Sequence, residues 1–273
     1  MVTVDSDTEL DPDAIAEGLR PFADPRVNAV TANVRASNHD RNLLTRLIDL
    51  RYANAFLFER AAYSTVGSVV CCCGSLSFYR TALVRRHLAD FVNQTFLGVP
   101  VQFGDDRRLT QYALQTGRAV LQDTAVAYTL VPERLGHYRR QQLRWNKSFF
   151  RESLWTLGHT SPRRWPFWVS LTELTIWLVS AASLINAMYV RPAVTGQPVA
   201  WYYLLYAVLL AYARNVRYLG RPRASLRWQL ATFALAPLYS LLHVVLLTPL
   251  RLYALVTLRR SQWGTRAHVE VRA

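Results

Sequence analysis

Four short patterns carry side chains with recognisable chemistry: Asp5-Ser-Asp7, Gly104-Asp-Asp-Arg107, Gln141-Gln-Leu-Arg-Trp145 and Trp263-Gly-Thr-Arg266. Two carboxylates flanking one residue at a strand end can hold a divalent cation beside a diphosphate. Mg2+ takes a few hard protein oxygens and completes its shell with phosphate and water. Asp5 would face a ribose or the metal, and Asp7 the metal. Read alone, the triplet is also an Asp/Ser turn with solvated carboxylates. Asp105 and Asp106 open a predicted helix, where the dipole favours acidic residues. Asp106 is also placed to act as a general base, taking the proton from an acceptor hydroxyl. Gln141, Arg144 and Trp145 fall within about one turn of a predicted helix. Arg144 can grip a pyrophosphate with two N–H groups, and the Trp145 ring can form a stacking platform for a sugar. The same residues suit an interfacial helix, with arginines on lipid headgroups and tryptophan in an aromatic belt. Taken alone, Trp263 and Arg266 read as a tryptophan anchor with a basic tail.

The elements that must position these groups alternate between two periodicities. Apolar, β-rich runs at 1–4, 28–34, 68–79 and 118–130 predict strands, the third broken by Gly74. Helical spacing covers about 41–64, 107–115 and 135–157, with Gly117 as a stop signal. The first and last of these helices are amphipathic. Strands alternating with helices predict an α/β domain over 1–161. From Pro166 the chain turns mostly apolar, which predicts a membrane domain over 162–273. Residues 166–190 hold Glu173 as their only charge and are long enough to span a bilayer. A second span is expected at 200–219, after a turn at 191–198. The arginines at 214, 217, 221, 223 and 227 follow it, so that side is expected to be cytosolic. Residues 229–258 are too short for two crossings. A re-entrant or interfacial pair of helices is expected there, because it returns Trp263–Arg266 to the cytosolic side. Glu173, a carboxylate inside a span, is a functional candidate that would line a channel, pair with an arginine or reach the interface.

The net charge is +14, and 31 of the 32 basic residues are arginine, Lys147 being the lone lysine. That skew fits a GC-rich coding sequence. The charge also suits anionic lipids, nucleotide phosphates or a polyanionic product. A basic chain with membrane spans obeys the positive-inside rule, so nucleic acid is not an expected partner. Cys71, Cys72 and Cys73 are contiguous and have no zinc-ligand spacing nearby, so they are expected to be reduced thiols of a cytosolic domain. No signal peptide is expected.

Longer stretches carry a resemblance. Asn42-Leu-Leu-Thr-Arg-Leu, Glu59-Arg-Ala-Ala, Asn93-Gln-Thr-Phe-Leu-Gly, Gly104-Asp-Asp-Arg, the run from Gln141 to Ser153, Pro249-Leu-Arg-Leu-Tyr and Trp263-Gly-Thr-Arg all resemble the bacterial class I hyaluronan synthases. These belong to the wider group of family 2 processive glycosyltransferases. The resemblance implies the C-terminal part of a GT-A catalytic fold followed by transmembrane and interfacial helices. It implies UDP-N-acetylglucosamine and UDP-glucuronate as donors, a growing polysaccharide as acceptor, Mg2+ or Mn2+ as cofactor, and the lipid bilayer as surroundings. The protein would be a multi-pass protein of the cell (plasma) membrane with its catalytic part in the cytosol. Asp5 and Asp7 would hold the metal and the UDP, and Asp106 would be the base for inverting transfer. Gln141, Arg144 and Trp145 would frame the pyrophosphate and acceptor. Cys72 falls at the cysteine near the acceptor, and Trp263–Arg266 would form a gating loop over bound UDP. Ser75 replaces the proline that usually follows this glycine. The chain starts at the DxD strand, so it is expected to be a fragment, or to begin at a misplaced start, and to be inactive alone. Two alternatives stand beside this reading: a non-catalytic membrane protein binding a polysaccharide or partner, and a chitin synthase-like enzyme using UDP-N-acetylglucosamine alone.

Overall fold

The computed structural model of the chain describes residues 1–197, 201–222 and 224–260. In chain order the strands are β1 (Val2–Thr3), β2 (Thr8–Leu10), β3 (Val27–Ala36), β4 (Ser77–Tyr79), β5 (Thr95–Phe96), β6 (Val99–Pro100) and β7 (Arg118–Thr129). The main sheet has the order β1-β4-β3-β7-β2, and β5 and β6 form a separate hairpin. β3 and β7 run parallel at the centre, and the outer pairings are antiparallel. A parallel pair is covered on both faces and so reads as a near-continuous apolar run. β3 fits this, with eight of its ten residues buried. Neighbouring residues point to opposite faces. Ala29 joins a core with Leu83, Leu109, Tyr112 and Leu114, while Val30 joins one with Ala14, Phe56 and Phe78.

The helices that cover the sheet are α1 (Ala14–Leu19), α2 (Leu43–Asn54), α3 (Ala61–Thr65), α4 (Thr81–Val92), α5 (Asp105–Thr116) and α6 (Leu135–His159). α2 starts at a reciprocal cap: the Thr45 N–H donates to the Asn42 side chain, and the Thr45 hydroxyl accepts from the Asn42 N–H. A π-helical turn, Ala55–Arg60, joins α2 to α3, so the expected helix at 41–64 is a single rod with one widened turn.

The expected strand at 68–79 is a strand only at β4. Residues 69–76 are irregular, buried except at 73–75, and side chains satisfy much of their backbone. Gln111 donates to the Val70 carbonyl, Arg60 to Cys71, Tyr79 to Cys72 and Ser77 to Cys73, while the Cys72 N–H donates to Thr110. A buried backbone needs partners but not strand partners. The β-rich composition of 69–73 reflects burial here, not pairing.

After α6 come α7 (Trp165–Ile185), α8 (Arg191–Thr195), α9 (Trp201–Asn215), α10 (Leu226–Phe233), α11 (Ala236–Leu242) and α12 (Thr248–Val256). Two helical stretches, Trp165–Thr195 and Leu226–Val256, are long and apolar enough to cross a membrane. The first runs past the expected end at 190. A π-helical turn, Asn186–Val190, precedes Pro192, which sits in the first turn of α8 where its missing N–H costs nothing. The helix stops at Gly196, whose φ of 70° is left-handed. The expected span at 200–219 is the 15-residue α9 followed by a 3₁₀ turn, Val216–Gly220. That turn is locked to the α/β domain: Arg221 pairs with buried Asp49 at 2.7 Å, and the Tyr218 hydroxyl donates to the same carboxylate at 2.7 Å. Residues 226–260 rest on the α/β domain at both ends. Arg46 of α2 donates to Thr232 at 2.6 Å and lies over the Trp228 ring, and Lys147 of α6 donates to the Arg260 carbonyl at 2.7 Å.

Candidate functional site

β1 and β2 lie at opposite edges of the sheet. The four residues between them therefore cross its end, where the carboxyl termini of β3 and β7 lie. Ligands of open α/β sheets bind outside that end. Asp5 and Asp7 are on this crossing. The Ser75 hydroxyl donates to Asp5 Oδ2 at 3.1 Å, and the Thr129 hydroxyl donates to Asp7 Oδ1 at 3.2 Å. A Cβ on Gly74 would lie 3.0 Å from Asp5 Oδ1, so a side chain there would crowd this carboxylate.

Asp106 lies in the first turn of α5. Its Oδ1 accepts the Arg107 N–H at 2.8 Å, and its Oδ2 accepts the Cys71 thiol at 3.7 Å. Gly104 holds φ at 96°, and a Cβ there would meet Ser148 Oγ of α6 at 2.3 Å. Glycine is what lets the start of α5 touch α6. From α6, Arg144 faces Asp5 across the site, with burial pulling its guanidinium down from the usual arginine value and Asp5 opposing that shift. Trp145 leaves 44% of its surface exposed, a ring available for stacking. Gln141 holds its Oε1 buried without a hydrogen-bond partner among the described residues.

Asp5 feels the whole constellation. Its surface is open to solvent, but it sits in a concavity whose desolvation raises its pKa above the usual carboxylate value. The Ser75 hydroxyl opposes the rise, the Asp7 and Asp106 carboxylates reinforce it, and Arg144 opposes it. The structure thus brings Asp5, Asp7, Asp106 and Arg144 into one field. It keeps Cys72 out: that side chain is fully buried in the core with Leu109 and Tyr112. The neighbouring thiol of Cys71 reaches Asp106 instead. Trp263 and Arg266 lie outside the described residues. The bond from Lys147 to Arg260 nonetheless brings the chain, three residues earlier, against the helix that carries Gln141–Trp145. Ser75, Thr129 and Lys147 were not legible as site residues; only the departure at Ser75 gave a signal.

A divalent cation fits this donor set. Asp5 and Asp7 present hard oxygens at one end of the sheet, and crowding by Asp7 and Asp106 disfavours the ionised form of Asp5. Among the described residues no group of three or more His, Cys, Asp or Glu could hold a metal ion. Two carboxylates would leave the remaining positions to phosphate and water. The linkage has a definite sign. The cost of ionised Asp5 is absent below the ordinary carboxylate value and fully developed above the raised one. Asp5→Asn is therefore expected to raise the thermal midpoint of the metal-free protein at neutral pH. It is also expected to weaken Mn2+ binding by at least about tenfold, since losing a ligand costs more than losing its support. Thermal unfolding with and without Mn2+ reads both effects, and a midpoint lowered without metal would contradict the assignment.

A mixed sheet with acidic residues across its carboxyl end, a helix-borne aspartate and a facing arginine define a GT-A-like glycosyltransferase fold. Residues 1–148 match the family described as "Glycosyltransferase like family 2", and the chain belongs to that family. It is 41% identical over 270 residues to a hyaluronan synthase of Streptococcus pyogenes, a match covering 99% of this chain and 63% of that protein. It is 35% identical over 269 residues to an N-acetylglucosaminyltransferase of Azorhizobium caulinodans, covering 97% of this chain and 66% of that protein. The chain thus spans a little under two thirds of the length of these relatives. Among solved structures, a mannosyltransferase from Pyrobaculum calidifontis in complex with GDP-Man and Mn2+ superposes with a TM-score of 0.54 at 20% identity. That match covers 88% of this chain and 61% of that one.

Proposed function

We propose that this chain carries the acceptor and pyrophosphate side of a membrane-bound, processive, inverting glycosyltransferase that builds a hyaluronan-like polymer from UDP-N-acetylglucosamine and UDP-glucuronate. The convergence of Asp5, Asp7, Asp106 and Arg144 at the carboxyl end of the sheet carries this reading. Asp5 and Asp7 would hold a divalent cation, Mg2+ or Mn2+, which when bound would supply neutralisation of the negative charge on the departing UDP. Arg144 pairs with the same diphosphate and disperses the negative charge that grows as the glycosidic C–O bond breaks. Asp106 accepts the acceptor hydroxyl proton as that oxygen attacks the anomeric carbon from the opposite face. Trp145 and Gln141 hold the acceptor sugar by stacking and hydrogen bonding. Trp263–Arg266 closes over bound UDP.

Processivity needs an exit beside the base. Arg107, adjacent to Asp106, lies over the Phe149 ring at 5.5 Å, and Arg251 of α12 lies over the same ring at 4.2 Å. The residue next to the base therefore lies at the seam between α6 and α12, where a growing chain would leave. The two ends of 226–260 resting on the α/β domain support a segment that begins and ends on the cytosolic side. The membrane-spanning candidates support a protein of the cell membrane, with its catalytic part cytosolic.

Donor profiling tests the proposal. The full-length gene product in lipid nanodiscs with Mn2+ is supplied with each UDP-sugar singly and in pairs, and UDP release is followed. Release that requires both UDP-N-acetylglucosamine and UDP-glucuronate is the expected result. Release with UDP-N-acetylglucosamine alone, yielding a chitinase-sensitive product, would favour the second reading that the N-acetylglucosaminyltransferase relatives suggest. Saturable UDP binding without turnover would favour a non-catalytic binder.

A further inference from the structure

Of the three consecutive cysteines, the one that reaches the site is not the one the family pattern singles out. The three side chains point three ways. Cys72 is fully buried in the core. Cys73 lies 3.7 Å from the Thr31 hydroxyl. Cys71 points at Asp106, with Sγ 3.7 Å from Oδ2. This geometry comes from the irregular path of residues 69–73, since in a regular strand Cys71 and Cys73 would share a face.

The loop that presents Cys71 is held from three sides. Arg60 donates to the Cys71 carbonyl at 3.0 Å from the π-helical turn after α2. Thr110, one turn along α5 from Asp106, accepts the Cys72 N–H at 2.9 Å and donates to the Asp106 carbonyl at 2.7 Å. Tyr79 donates to the Cys72 carbonyl at 3.2 Å and to the Asp106 carbonyl at 3.4 Å. Two residues therefore grip both the cysteine loop and the backbone of Asp106, so thiol and carboxylate move together. The carboxylate takes one donor on each oxygen, the Arg107 N–H on Oδ1 and the Cys71 S–H on Oδ2.

We propose that Cys71 is a positioning residue for Asp106: its thiol, donated to Oδ2, fixes the rotation of the carboxylate and leaves the remaining lone pairs facing the acceptor hydroxyl. This rests on the reading of Asp106 as the base. A thiol is suited to the place because it is a weak donor, which orients a carboxylate without greatly lowering its basicity. It is also a lasting one. Burial, reinforced by Asp106, pushes the Cys71 thiol up to about 12, so the proton stays on sulfur. Cys71 is therefore neither a nucleophile nor a metal ligand here.

Two measurements, the first on this chain and the second on the full-length gene product, separate the contact from its consequence. The S–H stretching bands of the three thiols lie in a region clear of other protein absorption. Infrared spectra are compared for the parent protein, Cys71→Ser and Asp106→Asn. The band lost in Cys71→Ser is expected to shift in Asp106→Asn while the other two stay in place. If it does not shift, the contact is absent and the proposal fails. In the second measurement, UDP release is followed at saturating and limiting donor. Cys71→Ala is expected to lower kcat about three- to tenfold with KM unchanged, the size expected for one hydrogen bond of ordinary net strength. Cys71→Ser, which retains a donor, is expected to recover part of that loss. A shifted band with unaltered kcat in Cys71→Ala would overturn the positioning role. Unimpaired turnover in Asp106→Asn would overturn the base assignment itself, and this role with it, whatever the band does.

Discussion

Replacing Asp106 with asparagine in the full-length gene product is expected to lower kcat for sugar transfer by about 10²- to 10⁴-fold, the usual worth of a positioned general base. The substitution is nearly isosteric: the amide oxygen can keep the bond from the Arg107 N–H, while the NH2 replaces the oxygen that accepts the Cys71 thiol. What it removes is the ability to take a proton. KM for the donor is expected to stay within about threefold, because an interaction made only in the transition state lowers kcat and kcat/KM together. The thermal midpoint is also expected to hold, since relieving the repulsion between Asp106 and Asp5 offsets any weakened bond. Rapid-mix single-turnover measurements with a saturating acceptor oligosaccharide separate the chemical step from polymer release. A drop confined to KM would remove Asp106 from the role of base.

The parts of the fold written in periodicity were readable from the residues. β3 and β7 are long, apolar and paired to each other, so composition alone marks them. α6 carries its motif on a helix of 25 residues with a pattern too regular to mistake. What was not readable depends on long-range partners. The run from Val69 to Cys73 has the composition of a strand. Its carbonyls are taken instead by Gln111, Arg60, Tyr79 and Ser77, and that competition is invisible in a local window. Pro192 suggested a break, but a π-helical turn just before it let the helix continue. The site shows the same division. Asp5, Asp7 and Asp106 were singled out by type and spacing, and the structure brings them near one another. Cys71 and Ser75 act through geometry, and choosing among three adjacent cysteines requires knowing which way each one points. The lock between Asp49 and Arg221 joins residues 172 positions apart, and nothing local in either stretch signals it.

The buried triad behind the site sets up an experiment in which stability and activity can be pulled apart. Glu152 of α6 is fully buried between two equally inaccessible arginines. It accepts from Arg108 Nε of α5 at 2.6 Å and from Arg151 Nε at 3.0 Å. Arg151 also donates to the Phe103 carbonyl, just before Gly104, and Arg108 stacks over Trp155 at 4.6 Å. The triad therefore sets how the helix carrying Asp106 lies against the helix carrying Arg144. Glu152→Ala leaves two guanidinium groups buried without their counter-ion. The expected loss is about 3–5 kcal/mol, the range for breaking a buried pair from one side. That is a fall of roughly 10 °C or more in the thermal midpoint for a domain of this size. Removing all three charges together, as R108M with E152M and R151M, is expected to restore most of that stability, because apolar residues of similar volume fill such sites at little net cost. Turnover is not expected to return with it. The bond from Arg151 to Phe103 is gone in the triple variant, and a shift of about 1 Å between the helices is enough to cost about a hundredfold in rate. Recovery of stability and turnover together would mean that packing alone sets the angle between α5 and α6. Recovery of stability without turnover would mean that the charged triad holds the base in register with the arginine that faces it.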